Sequence, residues 1–429
     1  MDFQEETSEL INPFLSHFNK YKTSVLNKKS EKQLHSILLS LYNDIHTSFK
    51  KVELIETKRE HVQIEHDSDK IKPDSYTSYV FPPHIRAYID KNEIGYIIYH
   101  CNIGGRKIKI IFTLFSSDDL NTFEKDVKMI YIWLTICVLY SSKSCSKTLT
   151  VYIYKTPFDK KLPESSLITL SGEHINTAYT YACQPVGEII VFRKEEWFKV
   201  FIHETFHTFG LDFSVNDSNN SRHEKIIHNG INRLFPIKSD FNTYEAYTET
   251  WARIINCCFY SYNALEDKKD KKQFIINSTF CLELERMFTL YQCNKVLRFM
   301  GLQYSDICNS GDKNVALRNN LYRENTNVFA YYIMSAIFMN NYFEFLNWCN
   351  VNNGTVGSTV GSTSCLKFKN TEDNYIAFMD YISRHYKCKQ LLEGLENMNQ
   401  LHKKIIKHSI KSIKNKVNLL STTRMTLLG

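Results

Sequence analysis

No C-x-x-C pair occurs among the twelve cysteines of this 429-residue chain. Only Cys257 and Cys258 are neighbours; the rest are scattered. Without paired spacing, the cysteines read as free thiols of a reducing compartment. No apolar leader follows Met1, where the chain starts MDFQEETSEL. The expectation is therefore a cytoplasmic protein, not a secreted one. No apolar run reaches the roughly 20 residues that a membrane span needs. The longest, MIYIWLTICVLY at 129–140, has twelve and reads as a buried core helix. No strong charge imbalance exists either. The formal charge is +7, with basic residues spread throughout and denser only in KKIIKHSIKSIKNK, 403–416. A solvated basic helix is the plainer reading of that stretch, which argues against a nucleic-acid partner. With 43% hydrophobic and 23% charged residues, disorder is excluded. The length suffices for one large or two medium domains, and the oligomeric state is left open.

What is present follows a clear order. Residues 1–75 read as an N-terminal helical region, with Leu34, Ile37, Leu38, Leu41 and Ile45 at helical spacing. Pro82 and Pro83 break that pattern. IGYIIYHCNI and KIKIIFTLF read as strands, with GGRK at 104–107 as the hairpin between them. A long apolar helix up to Tyr140 follows, opened by Ser and Asp residues suited to capping. Further strands are expected at 148–155, 174–184 and 187–193, then a helix over about 194–209. A polar, loop-like stretch comes next. Helices are expected at about 241–262, 273–300, 324–349, 370–395 and 398–416. The tandem T-V-G-S repeat in 352–364 marks a flexible surface insert. The fold class is thus α+β. A mixed-sheet domain over 76–212 ends on one helix, and a mostly helical subdomain fills 213–429. The junction between such parts is the usual place for a site.

That helix contains FIHETFHTFGLDFS, 201–214, with His203, Glu204 and His207 spelling H-E-x-x-H. Positions i and i+4 share one helix face, so two imidazoles can take one metal ion. Glu204 then reaches a metal-bound water without binding the metal. This is the geometry of zinc hydrolases, where the ion lowers the water's pKa to about 7. By itself the motif also arises by chance on solvated helices. Here Trp197, Phe198, Val200, Phe201, Ile202, Phe206 and Phe209 make the helix apolar nearly all round, hence buried. Buried polar groups need partners. A metal supplies them, and so does a metal-free hydrogen-bonded cluster.

A catalytic zinc needs a third protein ligand. The extended motif would put it at 213, but that residue is Phe213. Asp212 suits support of the turn or of a histidine. His223 and His228, in the polar stretch, read better as solvated loop residues. Downstream, NTYEAYTETWARIINCC places Glu245 and Glu249 one helical turn apart among aromatic neighbours. Like charges at that spacing repel. On a surface the cost is small; inside, the pair needs a cation. Zinc on Glu245, with Glu249 accepting an imidazole N–H, meets that need.

H-E-x-x-H followed by E-x-x-x-E on a second helix resembles the gluzincin branch of zinc metallopeptidases. EAYTE with its preceding Tyr resembles the third-ligand helix of the toxin-type members. RKEEWFKVFIHETFHTFGLDFS with EAYTETWARI is also similar to uncharacterised metallopeptidase-like proteins of nucleocytoplasmic large DNA viruses. The resemblance covers about 150–260. It implies a zincin-like domain, one Zn²⁺ per chain on His203, His207 and Glu245, and Glu204 as general base. Glu249 then supports a histidine. For a viral chain the location would be host cytoplasm or virion. The oxyanion stabiliser, a Tyr or His in related enzymes, is not fixed by any motif. Tyr244, Tyr331 and Tyr332 are the main candidates, and Tyr247, His223 and His228 are also eligible. All the tyrosines also read as core residues.

The expected activity is hydrolysis of a polypeptide held in extended form. The strand at 174–183 would take it as an added strand, or else is an internal strand of the sheet. The alternative is an inactive zincin-fold structural or interaction protein, such as a virion component. Nucleic-acid binding through the basic tail ranks last, because no such motif accompanies it.

Overall fold

The computed structural model describes residues 5–22, 27–116, 120–214, 220–354, 363–409 and 419–429. Two compact units emerge. The sheet unit comprises Leu41–Asp159 and Asn176–Val215; the helical unit comprises Met1–Ser40, Lys160–Ile175 and Asn216–Gly429. The chain thus changes unit more often than boundaries at 75 and 212 allow.

In chain order the strands of the described residues are β1 Thr57–Gln63, β2 Gly95–Ile103, β3 Arg106–Leu114, β4 Thr148–Thr156, β5 Leu170–Ser171, β6 Ala178–Thr180, β7 Val186–Arg193 and β8 Glu324–Asn325. Six of them form one mixed sheet in the order β1-β2-β3-β4-β7-β6. β1, β2 and β3 are antiparallel neighbours, β3, β4 and β7 run parallel, and β6 returns antiparallel to β7. The β2–β3 turn uses Gly104 and Gly105 at φ +56° and +81°. Two successive left-handed residues make the tight turn whose twist suits a hairpin.

Ile189, Ile190, Val191 and Phe192 of β7 are all fully buried. Such an unbroken apolar run belongs to a strand covered on both faces. On one face Tyr154, Tyr179, Ile190 and Phe192 pack with Phe81, Ile85 and Ile89, the last two from helix Pro83–Asn92. The alternate register faces the other way, where Phe112 meets Phe123 of helix Leu120–Tyr140. The motif helix, Trp197–Thr208, lies on β6 and β7 beside that helix. Trp133 stacks on Phe206 at 6.0 Å, and its indole N–H donates to Thr205 Oγ1 at 2.6 Å.

In the helical unit, Lys271–Phe299 packs against Thr243–Asn263, Ser335–Asn340 and Lys389–Ser409. Asp270 caps it by accepting the Gln273 N–H at 2.9 Å. Residues 419–428 run through this unit almost wholly buried. Oε1 of the fully buried Glu285 accepts the N–H groups of Leu427 and Leu428 at 2.7 and 3.1 Å.

Several expectations need correction. Residues 57–63, read as helical, form β1; its polar sequence TKREHVQ is largely exposed, so it carries no apolar alternation. The polar stretch after the motif contains a helix, Asn220–Leu234. The strand at 174–184 shrinks to Ala178–Thr180, after a helical turn at Gly172–Ile175. The helix at 324–349 divides into a π-helical segment Phe329–Met334, then Ser335–Asn340 and Tyr342–Asn352. The cysteines are not all free: Cys145 and Cys183 form a disulfide. No helix among the described residues is long and apolar enough to cross a membrane. Of the basic stretch 403–416, residues 403–409 continue the helix Lys389–Ser409; its remainder, 410–416, and the T-V-G-S repeat lie outside the described residues.

Candidate metal centre

In the sheet unit, His203, Glu204 and His207 are 5–7% exposed. Their helix ends in a left-handed turn at Gly210, φ +61°. The Leu211 N–H reaches back to the Phe206 carbonyl at 2.8 Å, and the Gly210 N–H to that of His207 at 3.0 Å. That paired bonding is a Schellman ending, and it reverses the chain. The reversal brings Asp212 under the helix: its Oδ2 lies 2.6 Å from His207 Nδ1. Ser214 donates to the other oxygen at 2.8 Å.

With Nδ1 of His207 committed to Asp212, its Nε2 is the candidate ligand atom. It faces Nε2 of His203 at 3.2 Å, with the rings at 74°. Two imidazoles that aim the same nitrogen at one point are arranged either to share a proton or to share a cation. Glu204 sits beside them, and Thr208, one turn on, donates its hydroxyl to the Glu204 carbonyl at 2.8 Å. The Thr208 hydroxyl is also 2.8 Å from that of Thr180, which ties the helix to β6.

In the helical unit, Glu245 lies in the first turn of helix Thr243–Asn263 and is half-buried. A carboxylate there faces the positive end of the helix dipole. Oε2 of Glu245 accepts the Tyr331 hydroxyl at 3.0 Å. Tyr331 comes from the π-helical segment, a helix form that occurs often at functional sites. Glu249, buried one turn after Glu245, accepts from Nε of Arg253 at 2.8 Å. The Arg253 guanidinium also donates to Thr289 Oγ1 and, at 3.3 Å, to the Tyr331 carbonyl. Glu249 and Arg253 therefore connect to the backbone of the residue that holds Glu245.

Other candidates have different roles. The fully buried Tyr332 gives its one hydroxyl proton to the Thr423 carbonyl at 2.6 Å, which leaves none for a substrate oxygen. Tyr247 likewise donates to the Leu366 carbonyl at 3.0 Å. Tyr244 is half-buried. His223 stacks on Tyr375 and His228 meets Phe241 edge-on. Arg253 escaped the reading of the sequence, although Glu249 and Arg253 stand at the i, i+4 spacing of a helical ion pair.

Comparison with protein families, with curated proteins and with solved structures finds no match.

Proposed function

We propose that this chain is a zinc-dependent peptidase of the gluzincin kind. His203, His207 and Glu245 would hold the ion. Two imidazoles and a carboxylate are a ligand set that suits zinc with a position left open. The observation that carries the reading is the 3.2 Å approach of the two buried Nε2 atoms, with Asp212 fixing the His207 tautomer. A hydrogen-bonded carboxylate behind a ligand histidine orients the ring and raises its basicity. When bound, the ion would supply an activated water and polarise the scissile carbonyl.

The chain's own residues would do the rest. Glu204, one residue from His203, takes a proton from the attacking water and hands it to the leaving amine. Tyr331 holds Glu245 in place by giving it its hydroxyl proton, so it would serve as a positioning residue for that ligand. Glu249 would use its remaining acceptor capacity on a histidine N–H. The substrate would lie extended along β6, the last strand of the sheet order, and pair through its main chain. The working location would be cytoplasmic.

The test separates binding from chemistry. Glu204→Gln should keep about one zinc per chain and lose hydrolysis of a casein or mixed-peptide substrate. Wild-type protein that holds zinc and cleaves nothing would favour the inactive-scaffold alternative.

A further inference from the structure

The Cys145–Cys183 disulfide lies at the C-terminal end of the motif helix, and its surroundings give it a task. A Cβ placed on Gly210 would come within 3.1 Å of Cys145 Sγ and 3.6 Å of Cys183 Sγ. The sulfur bridge therefore packs directly on the turn that reverses the chain toward Asp212. The two segments it joins also satisfy the helix's last carbonyls. The Cys183 N–H donates to the carbonyl of His207 at 3.0 Å. The Ser146 hydroxyl donates to that of Thr208 at 3.0 Å. The Ser146 N–H in turn donates to Gln184 at 2.7 Å, which sews the two segments together. Carbonyls at a helix end have no partner within the helix and must find one outside it.

The same knot is strained. Ser146 and Cys183 sit at φ +48° and +41°, in the left-handed region that side chains other than glycine's disfavour. Conformations of this kind persist only where their surroundings over-determine them. The disulfide is the covalent part of that constraint.

We propose that this disulfide is a redox clamp on the metal-binding motif. This rests on the metal reading above and adds a control to it. Oxidised, the bridge holds the helix end and the Asp212–His207 contact in register. Reduced, the two strained residues relax, the Thr208 carbonyl loses its Ser146 donor, that of His207 keeps the Gly210 N–H but not that of Cys183, and Asp212 no longer orients His207. Cys145 is buried, whereas Cys183 is half-exposed between exposed Tyr181 and Gln184, so a reductant approaches at Cys183. A dithiol reductant would attack Cys183 Sγ as thiolate and release Cys145 as thiolate. Its second thiolate would then attack its own sulfur in the mixed disulfide and release Cys183. Two protein thiols form, and the dithiol becomes a cyclic disulfide.

The experiment uses the full chain. Thiol counting under denaturing conditions should find ten reactive thiols in the oxidised protein, as the free cysteines require, and two more after reduction. Amide exchange at Gly210 and Leu211 should then speed up about ten-fold, with the circular dichroism unchanged. A dithiol itself binds zinc, so metal release to a chelator is read on Cys183→Ser without reductant. It should be about ten-fold faster than from the oxidised wild type, within the range for disturbing the support of a ligand histidine. Equal amide exchange in the two redox states, or twelve free thiols after oxidation, would overturn the clamp. Exchange that switches in a chain binding no zinc in either state would leave the clamp standing and defeat the metal reading instead.

Discussion

Nδ1 of His207 and a carboxylate oxygen of Asp212 lie 2.6 Å apart across the turn at Gly210. Ser214 holds the other oxygen, so the carboxylate is fixed from both sides. This pairing turns the Nε2 lone pair of His207 toward His203. Asp212→Asn should therefore lower zinc affinity about 10–100-fold, the usual effect of removing such a support. Chelator competition measures it. Unchanged affinity would mean that Asp212 serves only the turn.

Tyr331 and Tyr332 are adjacent but differ in task. The Tyr331 hydroxyl donates to Glu245, that of Tyr332 to the Thr423 carbonyl. Tyr331→Phe should weaken zinc binding or slow turnover at least ten-fold, with little change in stability. Tyr332→Phe should lose about 1 kcal/mol of stability, a typical buried hydrogen bond, and leave zinc affinity alone. Paired denaturant titrations and chelator competition separate the two.

Arg253 and Glu249 are both essentially unexposed. Arg253→Met would remove the guanidinium that the buried Glu249 pairs with. The expected loss is about 3–5 kcal/mol. Adding Glu249→Gln should restore much of it, which urea unfolding of the single and double variants would show.

Glu324 carries a pH dependence. Burial is the main cause raising its carboxyl to about 7, against bonds from the Ser239 hydroxyl, the Phe329 and Val328 N–H groups and the Tyr322 hydroxyl, which lower it. The folded state therefore binds this proton more tightly than the unfolded state does. The stabilisation from Glu324 is fully present below about pH 4.5 and is lost as pH rises through about 7. Glu324→Gln should flatten stability against pH between those values. The same slope of stability against pH in the wild type and in Glu324→Gln across that window would contradict the assignment.

The motif helix was legible because it is apolar all round, so its histidines and glutamate had to be inside. The β2–β3 hairpin was legible from Gly104 and Gly105, which supply the two left-handed positions its turn uses. β1 was not, because an exposed strand of polar residues held mainly by the main chain leaves no periodic trace. The helix Asn220–Leu234 hid behind a polar sequence, although Ile227 and Ile231 mark its buried face at i, i+4. The disulfide joins cysteines 38 positions apart, and no local spacing announces such a pair. Asp212 was legible as a support for the turn or a histidine because it follows the motif closely in sequence. Arg253 was legible from its four-residue spacing to Glu249, the spacing of a helical ion pair.

The most direct test is zinc X-ray absorption on full-length protein purified without chelators. The account predicts about one zinc per chain with two imidazole nitrogens and oxygen donors at about 2.0–2.2 Å, and loss of the metal in Glu245→Ala. A natively folded wild-type chain that takes up no divalent metal, or that keeps its zinc unchanged when Glu245 is replaced, would contradict it.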